Sequence, residues 1–409
     1  MRLSAHAAFA FILLVLLSYI GILPALSLQS SSSIVSYGKI VSGWPVGRPY
    51  VEGSKIMFQG SEFVPIGVIK AWSIVYYAPN FPSPTNWPDE TLGVYNLLND
   101  PSTSERETNF NTVMLSENRW LWENDLDYIP ALHKLVNMAK ERGLFVIIRW
   151  GDWNNRNESS PEFNKDFMTW QDKVDIIVEL ESWREHVMSI AQEFKDEPAV
   201  IGIDPLNEPT APENGWTAKG YSPEEAQQIW YDHALQIIDS IHNVDPSYII
   251  FLPLRLDYNS PEGAIPWNRS NIVYTVHWYY GWDTEWGVSY ADAYWNAQTE
   301  TDFINAYSLM LDHYQRGLLN FRNHHNVPVM NSETSMCKVS YRTGNSCKNT
   351  ERQFSDQIRL GAENSLGQLY WQHDRNKNSN YWGLLDANNP EAWSTGGIIV
   401  KNAVNEYCS

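Results

Sequence analysis

Unbroken apolar runs, rather than alternating ones, set the rhythm of this chain. Eight stand out: Phe63–Val68, Thr112–Leu115, Leu144–Trp150, Val200–Leu206, Tyr248–Leu254, Ile272–His277, Val327–Asn331 and Leu366–Trp371. Each has strand length, and a strand apolar on both sides is covered on both faces, as in a parallel sheet. Between the runs the period changes to that of a helix. Tyr128–Arg142 carries Ile129, Leu132, Val136 and Ala139 on one side, and Gly143 closes it. Val174–Lys195 is a second helical stretch. The third opens with Ser222 as N-cap, Pro223 at the first helical position and Glu225 completing a capping box. Phe303–Phe321 and Arg352–Asn364 follow. Ahead of the first run, YVEGSKIMFQGSEF reads as a β-hairpin with turns at Gly53 and Gly60.

Strands and helices that alternate in this way predict an α/β fold, a single (β/α)8 TIM barrel with an N-terminal β-hairpin. A doubly wound open sheet is the structural alternative, but no Gly-rich phosphate fingerprint follows the first strand. Neither a second domain nor an internal repeat is visible. The N-terminus reads as a secretory signal: Arg2, an apolar stretch Ala7–Leu17, and the small-residue pattern Ala25-x-Ser27. Cleavage after Ser27 gives a signal peptide over 1–27 and a barrel domain over 28–409. The alternative is a retained anchor, because Ala7–Leu26 is about long enough to span a bilayer. Both place the body outside the cytoplasm. The expectation is a secreted protein with no stable membrane association after cleavage, and a monomer.

Charge narrows the partners. With 48 acidic against 29 basic side chains the net charge is −19, which repels phosphate backbones and argues against nucleic acid. The chain also holds 19 Trp and 22 Tyr. Many fall in loop-like segments such as WGDWNN and HWYYGWDTEWG, where flat rings suit the weakly apolar faces of sugars. Of the three cysteines, Cys337 and Cys347 enclose a short Gly-containing loop and form the preferred disulfide, leaving Cys408 over. The paired CxxC spacing of a structural zinc site is missing, so neither metal nor cofactor is expected. Asn157 and Asn268 begin possible glycosylation sequons.

In a barrel, chemistry sits at the C-terminal strand ends. Strand four runs into Asn207-Glu208-Pro209, strand six ends in His277-Trp278-Tyr279, strand seven runs into Asn331-Ser332-Glu333, and strand eight ends in Tyr370-Trp371. Two carboxylates, Glu208 and Glu333, therefore face each other across an aromatic rim. That pairing suits glycosidic bond cleavage, where one carboxyl protonates the leaving oxygen and the other attacks or stabilises the anomeric carbon. The charge of one also keeps a proton on the other until the first is esterified. A single buried Glu paired with an Arg is the bland alternative for each.

IGIDPLNEP on strand four, VHWY on strand six, a Glu ending strand seven and a Trp ending strand eight together resemble clan A glycoside hydrolases, most closely glycoside hydrolase family 5. The resemblance runs from the opening hairpin to Trp371. It implies Glu208 as general acid/base and Glu333 as nucleophile. It further implies Asn207 on the sugar 2-hydroxyl, His277 and Tyr279 as a His-x-Tyr pair with the Tyr hydroxyl steadying the nucleophile, and Trp371 as a stacking platform. Two positions depart from the pattern. Met114 stands where strand two usually carries an Arg near the nucleophile, and Arg149 on strand three is the residue able to reach that space from next door. Gly151-Asp152 stands where strand three often ends in His. Trp150 and Trp282 are further candidate sugar contacts, while Asp204 reads as a structural residue inside strand four. The resulting expectation is a retaining endo-β-1,4-glucanase acting on a β-linked polysaccharide or oligosaccharide. A mannanase or other β-glycanase of the same family, a sugar-transferring enzyme, and a sugar-binding barrel without catalysis are the alternatives.

Overall fold

The computed structural model describes residues 44, 47–70, 108–151, 170–209, 215–256, 261–279, 289–335, 347–371, 384 and 393–408. The signal segment, Asn157, Trp282 and Cys337 lie outside these residues.

Eight parallel strands close into a barrel: β4 (Ile66–Lys70), β5 (Thr112–Glu117), β6 (Phe145–Trp150), β7 (Val200–Asp204), β8 (Ile249–Leu252), β9 (Ile272–His277), β10 (Val329–Thr334) and β11 (Gly367–Tyr370), with β11 pairing back onto β4. Each corresponds to one of the apolar runs. The two turns at Gly53 and Gly60 join a separate antiparallel sheet of three short strands, β1 (Tyr50–Glu52), β2 (Lys55–Phe58) and β3 (Ser61–Glu62). Both glycines have positive φ, 59° and 81°, which an L side chain rarely adopts.

The helices are α1 (Arg119–Asn124), α2 (Tyr128–Glu141), α3 (Trp170–Glu179), α4 (Glu181–Glu193), α5 (Pro223–Val244), α6 (Ser289–Asn296), α7 (Glu300–Tyr314), α8 (Asn320–His325), α9 (Thr350–Glu363) and α10 (Thr395–Tyr407). The capping box at Ser222 and Glu225 is formed as expected. Two expected helices are interrupted. Val174–Lys195 is broken at Leu180, whose φ is +45°, so α3 and α4 are separate rods. Phe303–Phe321 begins earlier, at a capping box between Thr299 and Asp302, and passes through a π segment at Gln315–Leu319. Apolar spacing continues across both breaks, which is why periodicity alone joins the pieces.

Two apolar layers hold the barrel together. Outward strand residues such as Val146, Ile148, Ile203 and Val276 pack under the helices. Inward ones, among them Met114, Phe145, Ile147, Ile249, Phe251 and Met330, fill the lumen together with Ile56, Phe58 and Phe63. Phe58, Phe63 and Trp44 each meet Phe145 edge to face at 5.1 Å, and Phe145 is the first residue of β6. The small sheet is therefore a plug at the N-terminal mouth, and the opposite mouth is left for chemistry. Gly202 is required at its place in β7, since a Cβ there would lie 2.1 Å from the Ile249 carbonyl oxygen.

Candidate active site

Strand alternation decides which side chains enter the lumen at the C-terminal mouth. On β6, Phe145 and Ile147 point inward and Val146 and Ile148 outward. Arg149 therefore enters the lumen and Trp150 leaves it. Trp150 is fully buried, with its ring 4.6 Å from that of His186 under the helices. The expectation that it touches sugar is corrected: one residue of parity puts it on the wrong face. Trp278 is turned outward in the same way, against His313 and Tyr314. On β9, Val273 faces in and Tyr274 and Val276 face out, so His277 follows Val273 into the lumen.

Glu333 breaks this parity. Met330 faces in, and simple alternation would turn residue 333 outward. A bulge intervenes: β10 pairs Asn331 with Val276 and Glu333 with His277, so one extra residue sits on the β10 side. The bulge re-aims Glu333 into the mouth. The strand runs on to Thr334, past the expected end at Asn331.

The side chains brought together are Glu208, Glu333, Asn207, His277, Tyr279 and Arg149. One oxygen of Glu208, one oxygen of Glu333 and a ring nitrogen of His277 all lie within 4.8 Å of one another. His277 Nδ1 is 2.9 Å from Glu208 Oε1 and 3.9 Å from Glu333 Oε2. Glu333 is enclosed, its side chain 8% exposed against 36% for Glu208. Arg149 Nη1 donates to Glu333 Oε2 at 2.6 Å, and the Tyr279 hydroxyl donates to Oε1. Burial pushes the Tyr279 phenol well above its ordinary range, with the Glu333 charge adding to the effect, so this hydroxyl stays a donor. Such a triad of ligand atoms could hold a cation in outline. Here, however, both Glu333 oxygens are engaged by donors and one donor is cationic, which suits a carboxylate held in place better than a metal ligand.

Arg149 is the hub. Besides Glu333, its Nη1 donates to Asn207 Oδ1 at 2.7 Å, and its Nε lies 2.9 Å from Met114 Sδ and 3.3 Å from Asp204 Oδ2. Met114 occupies the lumen position on β5, and the guanidinium lies over its sulfur. Trp371 follows β11 at the same mouth, half-buried against the lumen cluster, and its backbone N–H donates to Thr334. Cys347 is disulfide-bonded and Cys408 is a buried free thiol.

Asp204 gives a pH test. Burial pushes its carboxyl from 3.8 up to about 6, against the opposing pull of Arg149. The folded state thus holds this proton more tightly than the unfolded chain does. Between the two values the unfolded chain has released its proton and the folded protein has not, so rising pH favours unfolding through this group. Asp204→Asn removes the effect. The melting temperature of the variant relative to wild type is expected to climb between about pH 4 and about pH 7; a constant offset across that range would show that Asp204 does not titrate there.

One residue at the site escaped sequence reasoning. Lys173 on α3 is 1% exposed, and its ammonium donates to the carbonyl oxygens of Asn207 and Glu208, each at 2.9 Å. The signal was present: Lys173, Ile176, Ile177 and Leu180 follow helical spacing, and a lysine on an otherwise apolar stripe calls for a buried partner.

The family model Cellulase (glycosyl hydrolase family 5) matches residues 97–377. Among similar solved structures is the native form of a beta-glucanase from Saccharophagus degradans, with TM-score 0.59 and 17% identity over 90% of this chain and 95% of that one. A hyperthermophilic endocellulase from the archaeon Pyrococcus horikoshii gives TM-score 0.57 and 16% identity, covering 90% of this chain and all (100%) of that one. The catalytic domain of the major endoglucanase from Xanthomonas campestris pv. campestris gives 0.57 and 15%, covering 87% and 99%. At these identities the likeness is one of fold. No curated protein matches the chain significantly.

Proposed function

The chain belongs to glycosyl hydrolase family 5, and from that premise we propose that it is a secreted, retaining endo-β-1,4-glucanase. The observation that carries the reading is the approach of Glu208 and Glu333 oxygens to within 4.8 Å. Carboxyl groups about 5–5.5 Å apart serve retention through a covalent intermediate, whereas inversion needs a wider gap to admit water.

The two environments divide the labour. Glu333 accepts from Arg149 and from Tyr279, and the ionised carboxylate, an acceptor at both oxygens, meets both donors. It attacks the anomeric carbon. Glu208, more open and paired with His277, gives its proton to the departing glycosidic oxygen. The C1–O bond breaks as the Glu333 ester forms. Glu208, now a carboxylate, takes a proton from water while that water attacks C1 and releases Glu333. Arg149 also holds the oxygen end of the Asn207 amide, which orients the amide beside the acid for the sugar 2-hydroxyl. Half-buried Trp371 at the same mouth suits ring stacking.

The glucan assignment rests on the solved structures of similar fold. The beta-glucanase from Saccharophagus degradans and the endocellulase from Pyrococcus horikoshii have each been crystallised with cellotetraose. Secretion rests on the signal-like N-terminus.

Reducing-sugar release should be greatest on carboxymethylcellulose or mixed-linkage β-glucan, smaller on mannan and xylan. Proton NMR of the first product should show the β-anomer before mutarotation. Initial α-product would reject retention. Preference for mannan would move the substrate to another β-glycan, and binding without release on any of them would reject the enzyme.

A further inference from the structure

The acid/base turn is held from behind by a buried side chain, Lys173. Glu208 lies just past β7, with φ at +44°. That region is costly for a residue with a Cβ, and the following Pro209 adds to the crowding. A carboxylate placed by such a backbone needs outside support, because relaxation of φ would swing it away.

The supports come from the neighbouring strand β6 and from the helix pair α3 and α4. Trp183 Nε1 donates to the Pro205 carbonyl at 2.9 Å, and the backbone N–H of Asn207 donates to Trp150 at 2.9 Å. The final two carbonyls, Asn207 and Glu208, are gathered by the Lys173 ammonium alone of these donors, at 2.9 Å each. The break at Leu180 separates the rod that carries Lys173 from the one that carries Trp183. Hydrogen bonds from a buried ammonium to carbonyls are charge-assisted and geometrically demanding. Glu333, by contrast, is held by Arg149 and Tyr279 from other strands.

We infer that Lys173 is a positioning residue for Glu208, fixing the left-handed turn from which the acid/base reaches the leaving oxygen, and that it does not serve Glu333. The inference rests on the roles proposed above for the two glutamates. It separates the two glutamates by the demand of the leaving group. A substrate whose leaving group needs no proton depends on Glu333 alone for bond cleavage. One whose leaving group must be protonated depends on Glu208 as well.

The test compares Lys173→Met with wild type on phenyl and 2,4-dinitrophenyl β-cellobioside. For the phenyl substrate kcat/KM is expected to fall by about 10²-fold or more, the ordinary worth of general acid catalysis. For the dinitrophenyl substrate it should stay within about threefold, and azide should speed turnover of the variant and yield the β-glycosyl azide. Equal losses on both substrates, or no loss on either, would overturn the inference. If Lys173→Met does not fold, Lys173→Gln, which keeps a donor but no charge, carries the same comparison. A crystal structure of the variant decides independently of any substrate: Glu208 should leave its φ of +44° and lose its contact with His277, and an unchanged turn would refute the role. Wild type inert towards every aryl glycoside would sink the glycosidase reading instead, and the crystal structure would still decide Lys173.

Discussion

Glu333→Ala is expected to reduce turnover of β-glucan on the order of 10⁵-fold, the scale seen when an enzyme loses its nucleophile, without loss of fold. Glu333 sits in a buried cluster with Asp204 and Arg149. Removing it deletes one of two carboxylates that share a single guanidinium. The remaining ion pair, Arg149 with Asp204, is then balanced. The melting temperature should therefore hold or rise, as commonly happens when a crowded, functionally placed charge is removed. Azide should partly restore turnover and give the α-glycosyl product, because it attacks from the face that Glu333 occupied. The Glu208→Ala variant should give the β-product. Turnover of Glu333→Ala close to wild type, or a β-product on rescue, would remove Glu333 from the nucleophile's position.

Arg149→Met should cost both activity and stability. The guanidinium is 1% exposed and lies between two buried carboxylates and the Asn207 amide. Taking away one partner of a buried ion pair leaves an uncompensated charge, with a cost of about 3–5 kcal/mol. Loss of a donor aimed at the reacting group costs about 10²–10³ in kcat. The double variant Arg149→Met/Asp204→Asn tells these effects apart. Asp204→Asn removes one of the stranded carboxylates, so stability should recover by a large part of the loss. Activity should not recover, because Glu333 still lacks its cation. Recovery of both together would mean that Arg149 serves only to neutralise Asp204, and activity of Arg149→Met at the wild-type level would reject its part in the site. Guanidinium denaturation and steady-state kinetics on the three variants give the answer.

Arg149 also shows how far sequence reading reached. The missing strand-two arginine was visible as Met114, and the place of Arg149 on the neighbouring strand let it reach the same space. The structure puts its guanidinium on Glu333 and over the Met114 sulfur. Strand alternation on β6, which turns Arg149 inward, excludes Trp150, which is fully buried on the helical side. Its aromatic character and its loop-like neighbourhood outweighed the alternation that should have decided the matter. Glu333 is the opposite case. Strict alternation from Met330 turns it outward, and only the bulge between Asn331 and Glu333 turns it back.

The chain's own pattern of apolar runs and helical periods determined the strand order, the barrel and the mouth at which polar residues collect. Those features arise from short-range periodicity and from the requirement that parallel strands be covered on both faces. The capping box at Ser222 and the glycine turns at Gly53 and Gly60 were determined in the same way, because their hydrogen bonds and φ values are local. Only the tertiary structure decided the bulge in β10, the break at Leu180, the reach of Lys173 to the Asn207 and Glu208 carbonyls, and the sharing of Arg149 among Asp204, Asn207 and Glu333. Each of these joins residues far apart in the chain, or adjusts one backbone torsion to let them meet. Hydrophobic spacing carries no record of such events, since the same residue types satisfy it before and after the adjustment.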